Sequence, residues 1–312
     1  MVKFLQNKIA ESKLLLPATT LYGAVVWLLG GLATNLWWLQ FICFLLAVFL
    51  MAEMNNINAL IRIYSRTVSS TFILLSCTAC FLFPSLRGTA MEVCYIGALI
   101  PLFMTYQDKE STGLTYYAYL LFGIGTLAHV HLVFFLPLLW LLTAVLLQSL
   151  SWRTWGASLL GLITPYWVGS CWLVWQQDFT PLVTHFTRLA EFSSQIGTGS
   201  LTTGQTAVYA LTLLFAVTGV IHLLRNHRND KIRIRLIYAF FAWTDCFAAI
   251  FLLLQPQHYD MLMPLLFINT APLTAHFATF TATRWTNAWF IAMVTAAFFL
   301  TVYNLWTTSS LF

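Results

Sequence analysis

Two histidines lie two residues apart, His129 and His131, in the otherwise apolar stretch GTLAHVHLVFFLPLLW at 125–140. Imidazole nitrogens bind divalent metals and exchange protons near neutral pH, so the pair could serve a metal or a phosphate. On a helix, however, residues two apart point about 200° away from each other, and chelation would need an extended turn. The pair therefore marks either a ligand-binding turn or a polar turn without a ligand.

Other ionisable side chains interrupt the apolar sequence at separate places. The stretch QHYDMLMPLL contains His258, Tyr259 and Asp260, and Glu92 follows Arg87 by five residues. A collection of imidazoles and carboxylates at one end of a helical bundle could hold a divalent ion with a phosphate, or position an acceptor hydroxyl. Whether these residues meet depends on the elements that carry them.

Asp245 lies near the middle of the apolar stretch FFAWTDCFAAIF, and no Lys or Arg is close to it in sequence. A carboxylate at the centre of a membrane helix costs about 2.5–3.5 kcal/mol on insertion scales, so we expect this side chain to face the bundle interior. It is either hydrogen-bonded, to Thr244 or to a residue of another helix, or it faces a water-filled cavity as a proton-linked group.

The composition places the chain in a lipid bilayer. Hydrophobic residues make up 60% of its 312 residues and charged residues only 8%, whereas about a quarter of a soluble domain is charged. In lipid, apolar runs of this kind satisfy their backbone groups as helices. We therefore predict an all-α polytopic transmembrane bundle in which residues 1–312 form a single integral membrane domain.

About 20 apolar residues cross a bilayer as a helix, and such runs recur along the chain. They predict 10 or 11 spans, depending on whether 114–148 is one broken helix or two helices that fold back at the histidines. The candidate spans are 14–33, 35–52, 69–86, 91–106, 114–129, 130–148, 155–175, 205–224, 236–254, 261–280 and 287–307.

The charge distribution favours the folded-back hairpin and predicts the orientation, because Lys and Arg concentrate in cytoplasmic loops. With a hairpin and a cytoplasmic N-terminus, 13 of the 15 Lys and Arg residues lie on the cytoplasmic side, and only Arg87 and Arg188 lie outside. If 114–148 crosses the membrane once, 7 lie inside and 8 outside. His129 and His131 are then at a turn near the outer surface. Since the net charge of +5 sits in short loops, it indicates no nucleic-acid partner.

The longest loop, 176–204, is predicted on the extracytoplasmic side. Thr180 followed by Pro181 is typical of a helix start, and apolar residues then recur at helical spacing, with polar residues such as Arg188 opposite. We predict an amphipathic helix at 181–193 that lies in the membrane interface. The alternative is the same helix packed on the outer mouth of the protein itself.

The segments YYAYLLFGIGTLAHVHLVFFLPLLWLLTA and SWRTWGASLLGLITPYWV resemble an uncharacterised family of bacterial multi-pass inner-membrane proteins, over residues 55–176. The outer hairpin, QHYDMLMPLL and the amphipathic helix also resemble GT-C glycosyltransferases, polytopic enzymes that use polyprenyl-phosphate sugars at an extracytoplasmic site, often with a divalent metal. This resemblance implies that His258 and Tyr259 lie near a lipid-phosphate mouth. The chain departs from GT-C enzymes in its first outer loop, 30–37, which holds no acidic residue.

The resemblance favours a GT-C-like inner-membrane protein of envelope biogenesis that handles a polyprenyl-phosphate-linked glycan or lipid. Catalysis is left open by the missing acidic residue, since an amide cannot replace a carboxylate as a general base. A divalent cation could take part, although no metal ligands are assigned. The catalytic residues would be Asp260, His258 and Glu92, and the substrate-binding residues His129, His131, Arg87, Arg188 and Tyr259.

Two alternatives fit the same sequence. A non-catalytic subunit or scaffold of a membrane complex would have other membrane proteins as partners and would need none of these polar residues individually. A proton-linked transporter or flippase would use Asp245 as its titrating group.

Overall fold

The computed structural model describes residues 4–192, 197–226 and 230–309, and within these ranges the chain is helical, without a strand. This confirms the predicted all-α bundle. The α-helices are α1 Leu5–Ala10, α2 Leu15–Leu29, α3 Trp38–Asn58, α4 Thr67–Thr78, α5 Leu86–Met104, α6 Thr112–Ala128, α7 Leu136–Leu142, α8 Trp152–Gln176, α9 Thr180–Thr187, α10 Thr203–Asn226, α11 Ile232–Leu254, α12 Tyr259–Phe280 and α13 Arg284–Ser309.

Eight helical segments in the described part of the chain are long and apolar enough to cross a membrane, and α2 and α4 are shorter apolar helices. Every predicted span coincides with a helical segment. The boundaries differ at α4, which ends at Thr78 and not at 86, and at α3, which continues beyond the predicted end at 52 to Asn58. Asn55 uses its side chain to bind the following loop, through the carbonyl of Ser65 and the N–H of Ile61, and so leaves the helix intact.

The segment from α6 to α7 folds back on itself at the histidines. His129 leaves the helix with extended backbone angles, φ −138° and ψ 101°, and a 3₁₀ turn, Val130–Phe135, leads into α7. At the far end, the N–H of Gln107 donates to the carbonyl of Leu147 at 2.8 Å, so the segment ends beside the loop that precedes α6. The geometry is therefore a hairpin and not a single broken helix.

We call the membrane side that carries this turn the hairpin side and the opposite one the amino-terminal side. On the amino-terminal side, the short helix α1 is tied to the end of α12, because the amide of Gln6 donates to the hydroxyl of Thr281 at 2.7 Å. Arg233, at the start of α11, donates to the side chain of Asn58 at 3.0 Å and to the carbonyl of Phe103 at 3.2 Å. These bonds tie α1 to the end of α12 and, separately, join the ends of α3, α5 and α11 on the same side.

Helix α12 forms the centre of the bundle. Its membrane-spanning stretch is buried on every side, packed against α4, α5, α10 and α11. Pro264 and Pro272 lie inside the helix. A proline has no N–H to donate, so Pro264 leaves the carbonyl of Asp260 without its intrahelical hydrogen bond.

Helices α6 and α8 approach each other closely at Gly161 of α8, where a Cβ would lie 2.5 Å from the carbonyl oxygen of Tyr116 on α6. The two backbones therefore touch without an intervening side chain, a packing mode common between membrane helices. Gly156, five residues earlier in α8, would place a Cβ in open space.

We predict that Gly161→Ala lowers the free energy of unfolding by about 1–3 kcal/mol, because α6 and α8 must separate to accept the methyl group. Gly156→Ala in the same helix is the matched control and should be neutral or slightly stabilising, because alanine has the higher helix propensity. Thermal aggregation of both variants in detergent micelles measures the difference. Equal melting temperatures would contradict the close contact.

Candidate functional site

The hairpin turn brings His131 against His258, which lies in the 3₁₀ turn before α12. The ring centroids are 3.7 Å apart with an interplanar angle of 33°. The turn that carries His131 also packs against the 3₁₀ turn Arg188–Ala190 in the long loop. Three segments far apart in sequence therefore meet at this point.

His129 is next to this pair, and its Nε2 is buried without a hydrogen-bond partner among the described residues, as is the Nε2 of His131. Burial, together with the positive charge of Arg87 and the neighbouring His131, lowers the pKa of His129 to about 4. His129 is consequently uncharged at neutral pH. Neutral imidazoles offer one donor and one acceptor each, which suits a hydroxyl or a phosphate oxygen.

Glu92 and Asp260 line one small cavity, together with aromatic walls that include Trp27 and Phe83. Glu92 is only 5% exposed, whereas Asp260 is exposed at the start of α12. The cavity volume is about 30 Å³, enough for one or two water molecules and far too small for a sugar ring. A large ligand would have to bind outside this cavity, where Asp260 is accessible.

The two arginines on the hairpin side are both exposed. Arg87 lies in the first turn of α5 and acts electrostatically on His129. No ion pair joins Arg87 to Glu92 in the part of the chain that the structure describes. Arg188 lies in the 3₁₀ turn Arg188–Ala190 above His131.

Tyr259 is placed away from the other predicted substrate-binding residues. Its side chain is buried, and its hydroxyl donates to the carbonyl of Gln205 at 3.0 Å. Its ring packs on Phe81 at 5.8 Å. The residue therefore ties the start of α12 to the start of α10, and its hydroxyl is already engaged.

The predicted amphipathic helix at 181–193 is shorter in the structure. Helix α9 ends at Thr187 and is followed by the 3₁₀ turn, and residue 193 lies outside the described residues. Thr180 is inside the helix and is not its cap. Its N–H donates to the carboxylate of Asp178 at 2.9 Å. Phe186 stacks on Tyr166 of α8 at 5.4 Å yet stays 44% exposed, so α9 both touches the bundle and presents apolar surface outward.

Asp245 faces the bundle interior, as the sequence predicts. Both carboxylate oxygens lie within hydrogen-bond distance of the Thr270 hydroxyl on α12, at 3.1 and 3.2 Å. Thr244 does not bind it, since its own hydroxyl donates to backbone carbonyls of α11, including that of Phe240. The bond to Thr270 gives Asp245 a structural role, and its use in proton transport stays a prediction.

A second ionisable cluster lies on the amino-terminal side, and the sequence analysis does not anticipate it. Asp230 accepts from Arg62 at 3.3 Å and pairs with His276 Nε2 at 3.0 Å. Tyr238 packs on the His276 ring at 4.7 Å, and His222 at 5.1 Å. Histidines within one or two turns of a span end look in sequence like ordinary interfacial residues, so only their burial distinguishes them.

No group of three or more His, Cys, Asp or Glu side chains in the described residues has an arrangement that could hold a metal ion. The imidazoles and carboxylates of the hairpin side thus form adjacent pairs and not one ligand set.

No family model, curated protein or solved structure matches the chain. The resemblances that the sequence suggests therefore stay predictions, and only the multi-pass helical membrane architecture is shown.

We predict that Asp230→Ala destabilises the protein by about 1–3 kcal/mol, because it leaves His276 and Arg62 without their shared acceptor inside the protein. The Asp230 side chain is 2% exposed and that of Arg62 43%, so Arg62→Gln should cost less, about 0–1 kcal/mol. Thermal unfolding in micelles gives both values. A larger loss for Arg62→Gln would show that Asp230 is not the centre of the cluster.

The lowered pKa of His129 predicts a pH effect on stability. The unfolded chain takes up a proton at the ordinary histidine pKa of 6.5 and the folded chain only at about 4, so stability falls as the pH decreases between these values. His129→Asn removes this titration and should reduce the loss of melting temperature between pH 7 and pH 5. If the melting temperatures of the wild type and the variant differ by the same amount at pH 7 and at pH 5, the histidine is not buried as described.

Proposed function

We propose that the chain is a GT-C-like protein of the bacterial inner membrane that binds a polyprenyl-phosphate-linked glycan or lipid on its hairpin side. In this proposal the amino-terminal side faces the cytoplasm and the hairpin side faces the cell envelope. The observation that carries it is the contact of His131 with His258, 3.7 Å between ring centroids. His258 is two residues before Asp260, which shares a cavity with Glu92.

The chemistry of this side suits a phosphate group attached to a hydrocarbon. Arg87 and Arg188 are exposed cations, and a guanidinium binds phosphate oxygens through two parallel hydrogen bonds. The imidazoles of His129 and His131 supply uncharged donors or acceptors next to them. The exposed apolar residues of α9, such as Val183 and Phe186, would hold this helix against the lipid at the same height.

We propose different roles for the carboxylates of Asp260 and Glu92 because their exposure differs. Asp260 is accessible and adjacent to His258, so in a transferase it is the group that could accept a proton from an acceptor hydroxyl. Glu92 is enclosed and would act through the water-sized cavity. Loop 30–37 offers the amide of Asn35 and no carboxylate, so in this proposal the general base comes from α12 or α5.

The first experiment measures binding of undecaprenyl phosphate to the purified protein by native mass spectrometry. Arg87→Gln and the double variant His131→Ala/His258→Ala should weaken binding at least tenfold, because each removes hydrogen bonds to a charged ligand worth about 1.5–3 kcal/mol. Asp178→Asn is the matched control, since this carboxylate is exposed on the same side and binds only the start of α9. Unchanged binding in both variants would refute the site.

A second measurement separates binding from catalysis. Asp260→Asn should retain the lipid but lose transfer of a sugar from an undecaprenyl-phosphate donor, because an amide cannot accept the proton. If Asp260→Asn retains full transfer, Asp260 is not the base. If the wild type binds the lipid but transfers no sugar, the chain is a binding protein and not a transferase.

A further inference from the structure

A cavity of about 550 Å³ opens on the amino-terminal side between α10, the end of α12 and the start of α13. It is much larger than the cavity at Glu92, and its size is within the range of small-molecule sites, roughly 300–1,000 Å³. None of the residues predicted from sequence to form a site lines it. We call it the α10–α13 groove.

One wall of the groove is a single stripe of α10. It is lined by Leu214, Val217, Ile221, His222 and Arg225. Successive members are adjacent or three or four residues apart, which is the spacing of one side of a helix. The stripe begins with apolar residues in the membrane-spanning part and ends with polar ones at the helix terminus. Val217 is 55% exposed, so the apolar part is open towards the lipid.

The opposite wall consists of aromatic and hydroxyl side chains. Phe277 and Phe280 of α12 line the apolar part, and Trp289 of α13 reaches across the groove to donate its indole N–H to the hydroxyl of Thr218 at 3.1 Å. This bond fixes the width of the groove, because it joins α10 to α13 directly.

The polar end of the groove is positively charged. Arg225 lines it and is exposed, and among the described residues that line the groove none is Asp or Glu. Thr283 and Thr286 exchange side-chain and backbone hydrogen bonds at the start of α13. A helix start carries partial positive charge, which adds to that of the guanidinium.

We infer that the α10–α13 groove binds an anionic glycerophospholipid of the leaflet on the amino-terminal side. Its phosphate would lie between Arg225 and the start of α13, and one acyl chain would follow the stripe from Ile221 to Leu214. Charge complementarity selects an anionic headgroup, since Arg225 lines the polar end and no described residue of the groove lining is Asp or Glu. This inference does not rest on the proposed function, which concerns the opposite side of the membrane.

The test compares phosphatidylglycerol with phosphatidylcholine on the full-length protein, delipidated in detergent and examined by native mass spectrometry. Wild type should retain phosphatidylglycerol at least fivefold better, the ratio expected from about 1 kcal/mol per basic residue at a membrane surface. Arg225→Gln should remove the preference. Val217→Trp should reduce retention of both lipids, because the indole fills the path of the acyl chain.

The matched controls are Arg153→Gln and Leu160→Trp. Arg153 is an exposed cation in the first turn of α8 on the same side, and Leu160 is a lipid-facing residue, 65% exposed, outside the groove. Both should behave like wild type. Equal retention of the two lipids by wild type, or full retention by Val217→Trp, would overturn the inference.

A photoactivatable phosphatidylglycerol gives an answer that needs no variant. Its cross-links to the wild-type protein should map to 214–226 and 283–289. Cross-links confined to other helices would overturn the inference even if the variants fail to fold.

Discussion

Helix α12 has no lipid-facing side, and the rest of the structure depends on this constraint. A helix enclosed by protein inside a membrane must find protein partners for its polar side chains, because neither water nor lipid supplies them. Thr270 meets Asp245 of α11, Thr274 donates to the carbonyl of Phe215 on α10, and His276 meets Asp230. The neighbouring helices therefore carry polar groups at depths set by α12.

The two ends of α12 differ from its middle because ionisable side chains cluster at both of them. On the hairpin side, His258 precedes the helix and Asp260 lies in its first turn. On the amino-terminal side, His276 lies one turn before the end of the helix. Surrounding helices place their own ionisable residues at the same two levels. Both ionisable clusters are consequently found at the ends of one central helix, and the α10–α13 groove opens beside one of them.

The sequence predicts those features that depend on sums over many residues. Span positions follow from apolar length, and the hairpin follows from the count of Lys and Arg, so both agree with the structure. The sequence does not predict which side chain faces which neighbouring helix when a helix has no polar stripe, as in α12. Consecutive residues turn by about 100°, so Tyr259 points to Gln205 while His258 faces His131. The contact of Asp230 with His276 spans 46 residues and leaves no local pattern.

Access to Glu92 is limited by the contact between the first turns of α5 and α12. A Cβ at Gly88 would lie 3.0 Å from the hydroxyl of Ser85 and 3.3 Å from the carbonyl oxygen of Asp260, so glycine keeps the two turns close together. The same carbonyl lacks an intrahelical donor because Pro264 stands four residues later. Separating the two turns therefore breaks no helical hydrogen bond at the carbonyl of Asp260.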